Sequence, residues 1–199
     1  PLSIGKINGL LGTGVITSLC ETQAVIACTF NKSPPKKLPL TIVLALPRPK
    51  MLKRILRNIA ELGVAELHLL NSYKVEKSYW QTPVLTDEQT KRYLLEGLSQ
   101  AKDTILPKVH QHRLFKPFTE DILPSLCQGK EAFVAHPYQA RPCPPPSNQP
   151  RLVAIGPEGG FIDYEVNLLQ QQGLQTIEMG PRIYKVETAV TLLTNMLSL

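Results

Sequence analysis

From Leu38 onward the chain alternates short apolar runs with longer mixed segments, and this alternation limits the fold more than any other feature. The runs at 40–46, 66–70, 108–113, 132–136, 152–155 and 176–179 read as strands, and the segments 49–62, 87–102, 116–126, 163–172 and 186–197 read as helices. Apolar strands separated by helices build a largely parallel sheet covered by those helices. The expected class is α/β.

Residues 1–31 have a different character. "INGLLGTGVI" sets glycines between apolar pairs, and "TQAVIACTF" alternates as a strand does. A few short antiparallel strands are expected there, too few to bury a core alone. "LLGTG" within them reads as a turn. "NKSPPKKLP", with three prolines and three lysines, reads as a linker. The Pro-rich stretch 137–150 reads as a surface connection without a function of its own.

The longest apolar stretches fall far short of the roughly 20 residues of a membrane span, and the start carries no signal-peptide pattern. A cytoplasmic protein is expected. Cys20, Cys28, Cys127 and Cys143 form no C-x-x-C pair, and no His pair has ligand spacing. Four reduced thiols and no metal are the expectation, with Cys20 and Cys28 packed beside strands as small hydrophobes. A net charge of +6 favours an anionic partner, nucleic acid first among them.

Glycine patterns narrow the ligand. No G-x-x-x-x-G-K-[ST] occurs, which removes the P-loop, and no G-x-G-x-x-G follows a strand, which removes a nicotinamide-binding site. "AIGPEGGF" (154–161) remains, in the order buried strand, glycine loop, helix. In open α/β sheets ligands settle beyond the carboxyl ends of strands. Gly159 and Gly160 would let a flat ligand lie against the main chain. Asp163 can cap the next helix, which leaves Glu158 free for another task.

"TIEMGPRIYKVETAV" (176–190) repeats this grammar, with Arg182, Lys185 and Glu187 ahead of an apolar helix. Cations at a helix amino end oppose its dipole, so Arg182 and Lys185 point to an anionic partner. In the first helix, Lys50, Lys53, Arg54 and Arg57 share one face with no acid among them. That face reads either as solvated charge or as a phosphate-tracking surface.

In this order, "LALPRPKMLKRILRNIAELGV", "AIGPEGGF" and "MGPRIYKVETA" resemble the RsmE family, the small-subunit ribosomal RNA methyltransferases of the SPOUT class. The resemblance covers essentially the whole chain. It implies methyl transfer from S-adenosyl-L-methionine to N3 of a uridine in 16S ribosomal RNA. It implies a SPOUT-type sheet with a C-terminal trefoil knot (residues 37–199), preceded by part of a PUA-like β-barrel and a linker (residues 1–36). Residues 1–31 match only the last strands of that barrel. A homodimer packed through the knot is implied as well.

The same resemblance places cofactor contacts at His136, Gly156, Pro157, Glu158, Gly159, Gly160, Met179, Gly180, Ile183 and Thr188. Catalytic roles fall to Arg182, Lys185 and Glu187: Arg182 stabilises the uridine anion, Lys185 assists, and Glu187 is the candidate proton acceptor. Lys50, Lys53, Arg54, Arg57 and Arg182 are the expected RNA contacts. Glu158 would hold either the cofactor loop or the target ribose. The family motif reads G-P-R-I-L-R; here Tyr184 stands for Leu and Lys185 for Arg, and lysine lacks the planar guanidinium fork. Two alternatives stay open: another RNA target, such as a tRNA or a ribose 2′-OH, or an RNA-binding protein that kept the fold without catalysis.

Overall fold

The computed structural model describes residues 1–198. Strands β1 (Leu2–Gly5), β2 (Leu11–Leu19) and β3 (Ala24–Lys32) form a three-stranded antiparallel sheet. "LLGTG" is not a turn. It lies at the start of β2, with a register shift between Leu11 and Gly12, and the actual turn closes just before it, where the Gly9 N–H donates to the Lys6 carbonyl. This turn docks on the segment after the second helix: the Asn8 N–H donates to the Thr104 carbonyl, and Asn8 Oδ1 accepts from the Leu106 N–H at 2.9 Å.

A parallel sheet follows. It is built of β4 (Leu38–Ala45), β5 (Val64–Leu70), β6 (Lys108–His112), β7 (Glu131–Ala135), β8 (Arg141–Pro142), β9 (Arg151–Ile155) and β10 (Gln175–Glu178), in the spatial order β6-β5-β4-β9-β7-β10-β8. Every pairing is parallel. The six expected strands are all present to within two residues at each end. β9, wholly buried, runs between β4 and β7.

Helix α1 (Pro49–Glu61) starts with Pro at its first position, where the missing N–H costs nothing. It buries Leu52, Ile55, Leu56 and Ile59 against the sheet. α2 (Asp87–Ala101) is capped by Thr86, whose Oγ1 accepts from the Gln89 N–H, and Asp87 and Glu88 complement its amino-end dipole. The expected helix near 116–126 is broken into α3 (Phe115–Pro117), a π turn (Phe118–Ile122) and α4 (Leu123–Cys127). α5 (Asp163–Gln171) and α6 (Val186–Leu197) complete the domain.

The Pro-rich stretch does more than connect. β8 lies within it and pairs with β10, the Cys143 N–H donates to the Glu178 carbonyl, and Ser147 bridges to Ser198. Only the short run Arg141–Pro142 is extended and aligned enough to pair, which is why composition hides it. All four cysteines are free, and Cys20 and Cys28 are exposed rather than packed. No described helix is long and apolar enough to cross a membrane.

Candidate functional site

The strand order fixes where the predicted residues meet. β4, β9, β7 and β10 are consecutive neighbours and all parallel, so the loops leaving their carboxyl ends gather at one edge of the sheet. These loops are 46–48, 156–162, the stretch beginning at His136, and 179–185. The two glycine motifs therefore leave the same end of the sheet, from β9 and β10, with β7 between them.

The first loop is held from three sides. A Cβ at Gly156 would stand 2.9 Å from the Phe161 nitrogen and 3.2 Å from the Gly160 Cα, so the loop closes tightly over this residue. Gly160 adopts φ +71°, and its N–H donates to the Pro157 carbonyl at 2.8 Å. Lys74 Nζ donates to the Gly159 carbonyl at 2.7 Å. Glu158 Oε1 accepts from the Arg48 N–H at 3.1 Å, which ties the loop to the residue before α1.

Glu165, not Asp163, organises the start of α5. Its buried carboxylate accepts from the Ile162 N–H at 3.0 Å and from the Tyr73 N–H at 2.8 Å. It thereby fixes the loop after β5 beside the glycine loop, and that β5 loop supplies Lys74. Sequence reasoning missed Glu165 and Lys74. The signal for Glu165 was its position as the third residue of the helix, where an acid can reach back to a free N–H. Nothing local marked Lys74.

The second loop turns at Gly180, with φ +91° and no atom within 4 Å of an added Cβ. Arg182 and Ile183 are exposed, Tyr184 is half-buried against the core, and Lys185 is the exposed cap residue of α6. Met179 is half-buried and Thr188 exposed. Glu187 is largely covered and lies 3.9 Å from Arg54 Nη1, so it faces α1. Its side chain does not bond the helix-start N–H groups. His136 follows β7 directly, and its N–H donates to the Ile177 carbonyl. Burial pushes its imidazole below the usual histidine range, with Asp163 opposing and Lys74 reinforcing.

The basic face of α1 is less free than its sequence implies. Arg57 Nε donates to Glu96 Oε2 at 2.6 Å, and its guanidinium sits 4.7 Å from the Tyr93 ring centroid. Lys53 Nζ also approaches that ring, at 5.8 Å. The neutralising acid comes from α2, outside the segment whose charge pattern was read. Lys50 and Arg54 remain exposed.

Main chain is open at Gly160 and Gly180, whereas Gly159, expected to be bare, is covered by the Lys74 side chain; Arg182 and Lys185 stand exposed in the second loop. Such a surface can hold a flat polar ligand and stabilise an anion. A separate cavity of about 470 Å³ opens at the opposite, amino end of the sheet, lined by residues such as Lys130, Glu131 and Arg151. None of the glycine-loop residues lines it.

Known proteins share this frame. A family model described as an RNA methyltransferase domain matches residues 34–198. The ribosomal RNA small subunit methyltransferase E of Treponema pallidum is 29% identical over 192 residues, covering 93% of this chain and 71% of that protein. The Synechocystis protein of the same name is 27% identical, covering 88% of this chain but 58% of its own length. The crystal structure of a ribosomal RNA small subunit methyltransferase E from Neisseria gonorrhoeae bound to S-adenosyl methionine superposes with a TM-score of 0.77. It is 17% identical and covers 98% of this chain and 80% of that one, a likeness of fold.

Proposed function

Because this chain belongs to the RNA methyltransferase domain family, we propose that it transfers the methyl group of S-adenosyl-L-methionine to N3 of a uridine in 16S ribosomal RNA. The observation that carries this reading is that both glycine loops leave the carboxyl end of one parallel sheet, from β9 and β10, with Arg182 and Lys185 exposed in the second of them. Two relatives that align with most of this chain are named as small-subunit ribosomal RNA methyltransferases.

The residues fit the cofactor. Gly160 and Gly180 hold positive φ with open space where a side chain would stand, which leaves main-chain groups free to line a ligand. His136, Gly156, Pro157, Glu158, Gly159, Met179, Ile183 and Thr188 complete the proposed binding set. Bound there, S-adenosylmethionine supplies a methyl group already activated on a sulfonium. With the cofactor bound, the uridine N3–H proton would have to leave, so that N3 could take the methyl carbon as its bond to the sulfonium sulfur broke. Arg182 stabilises the N3 anion electrostatically, and Lys185 assists. Glu187 is the proposed proton acceptor, with its carboxylate 3.9 Å from Arg54 Nη1 on α1.

Lys50, Lys53 and Arg54, with Arg182, form the proposed RNA path. Arg57 belongs to it only as a buttress for α2. The C-terminal segment is proposed to thread a trefoil knot. Two contacts support this: α6 packs on α1, and Arg151 Nη1 donates to both the Leu197 and Pro145 carbonyls. Exposed Tyr138 and Ile183, in the site loops, are the apolar surface that a homodimer would cover. Residues 1–36 are proposed as part of a PUA-like barrel with its linker, a reading supported by the uncovered Val15, Ile16, Val25 and Phe30. With ribosomal RNA as the proposed substrate, the cytoplasm is the proposed location.

The test is methylation of small-subunit ribosomal RNA that lacks the modification, followed by nucleoside mass spectrometry. The expected product is 3-methyluridine. Methyl appearing on a tRNA or a ribose would redirect the substrate. Cofactor binding without transfer would favour the non-catalytic reading that Tyr184 and Lys185 keep alive.

A further inference from the structure

β5 and β6 bring four chemically distinctive side chains to one face at the edge of the sheet. Their register pairs His68 with His110, and residues two apart on a strand share a face, so Glu66, His68, His110 and His112 point the same way. His68 is 3% exposed, and its ring stacks on His110 at 4.6 Å and on His112 at 5.2 Å between centroids. Its Nδ1 lies 3.0 Å from His112 Nε2. Its Nε2 is buried and has no hydrogen-bond partner.

That orphaned nitrogen faces two other donors. Glu66 Oε1 stands 3.4 Å from it and 3.1 Å from His110 Nε2, and the three ligand atoms all lie within 4.8 Å of one another. In a tetrahedral zinc site, bonds near 2.0–2.1 Å space the ligand atoms about 3.3 Å apart. Both distances from Glu66 match that edge. Buried polar atoms without partners are rare and call for an explanation, and an absent ligand is one.

We propose that Glu66, His68 and His110 bind a divalent transition-metal ion, zinc foremost, with a fourth position open to water. Two imidazoles and one carboxylate suit zinc, copper or nickel and disfavour magnesium and calcium, which take oxygen ligands. His68 binds through Nε2 and donates its Nδ1–H to His112 Nε2, so His112 is a positioning residue that fixes the tautomer. Glu66 and His110 are partly exposed, which gives the ion an entry path. Lys108, whose Cα pairs with that of Glu66, is the opposing charge on the same face. The ion would clamp the edge strand β6 to β5. No resident metal was expected from the sequence, because Glu66 and His68 lie more than 40 positions from His110 and only strand register unites them.

The test uses the full chain, stripped with a chelator and with its four thiols alkylated, so that cysteines cannot supply ligands. Zinc is titrated by calorimetry and cobalt by visible absorption. The expected result is one ion per chain, with the cobalt spectrum of a four-coordinate nitrogen and oxygen site. Glu66→Gln and His110→Ala, at partly exposed positions, should weaken binding about tenfold or more while circular dichroism stays unchanged. His112→Phe should weaken it about 10- to 100-fold. Absence of saturable zinc binding, or equal affinity in Glu66→Gln and His110→Ala, would overturn the proposal.

Discussion

The Arg48 backbone N–H donates to Glu158 Oε1 at 3.1 Å and so joins two loops that stand 110 positions apart in the chain. One loop precedes α1, which carries the proposed RNA face; the other is the glycine loop of the proposed cofactor site. The carboxylate also lies at the amino end of α1, where the helix dipole favours a negative charge. Of its two proposed tasks, holding the loop is therefore the one the geometry supports.

Glu158→Ala should weaken cofactor binding and cost about 1 kcal/mol of stability, the usual scale of a hydrogen bond to an exposed charged acceptor. Glu158→Gln keeps an acceptor oxygen and should retain most of both. Calorimetry with S-adenosylmethionine, paired with thermal unfolding, checks this. Unchanged affinity in the alanine variant, with a raised KM for RNA, would return Glu158 to the ribose.

Gly156 and Gly160 fail in different ways when substituted. Gly156→Ala places a methyl 2.9 Å from the Phe161 nitrogen, so the backbone itself must move, at about 1–3 kcal/mol. Gly160→Val meets no neighbour but forces a β-branched residue to φ +71°, about 1–2 kcal/mol of strain. Both should lower cofactor affinity at least about tenfold. Wild-type affinity in either variant would detach the loop from the cofactor.

Arg182→Ala should leave cofactor affinity nearly intact and cut turnover about 10²–10³-fold, the range for removing one donor to a developing anion. Lys185→Arg restores the fork and should raise turnover, without changing cofactor affinity. Single-turnover methylation separates these effects from product release. Normal turnover in Arg182→Ala would remove it from catalysis.

The strand-and-helix frame was legible because each element's apolar pattern is local. The two glycine loops were legible for the same reason, since Gly-Pro and Gly-Gly mark tight turns, by close approach at Gly156 and by positive φ at Gly160 and Gly180. What escaped depends on partners from elsewhere. Glu165 looks like any acid in a first helical turn until Tyr73 arrives from the loop after β5. Glu96 neutralises Arg57 from a different helix. The histidine face on β5 and β6 exists only once β6 pairs at the sheet edge, in a register that no single segment encodes.

His136 gives a pH dependence with a definite sign. Burial lowers its folded-state value below the ordinary 6.5, so between that lowered value and 6.5 the unfolded chain binds more protons. Its contribution to stability is complete above about 6.5 and is lost as the pH falls. Urea unfolding of wild type and His136→Gln from pH 8 to pH 5 isolates this residue. Wild type should lose more stability on acidification, and parallel curves would show that His136 is not the group responsible.

The basic face of α1 divides into residues that should respond differently. Lys50 and Arg54 are exposed, and Arg54 has only a 3.9 Å approach to Glu187. Charge reversal at Lys53 and Arg54 should weaken RNA binding and reduce the slope of affinity against salt by about one to two counterions. Arg57 instead makes a 2.6 Å bond to Glu96 and covers Tyr93. The pair is more than a third exposed, so solvent screening limits Arg57→Ala to about 0–1 kcal/mol of stability. It should leave the salt slope unchanged. The comparison is decisive because both classes carry the same formal charge on the same helix face. If Arg57→Ala flattened the salt dependence as much as Arg54→Glu, net charge rather than position would govern RNA affinity, and the assignment of a path along α1 would fail.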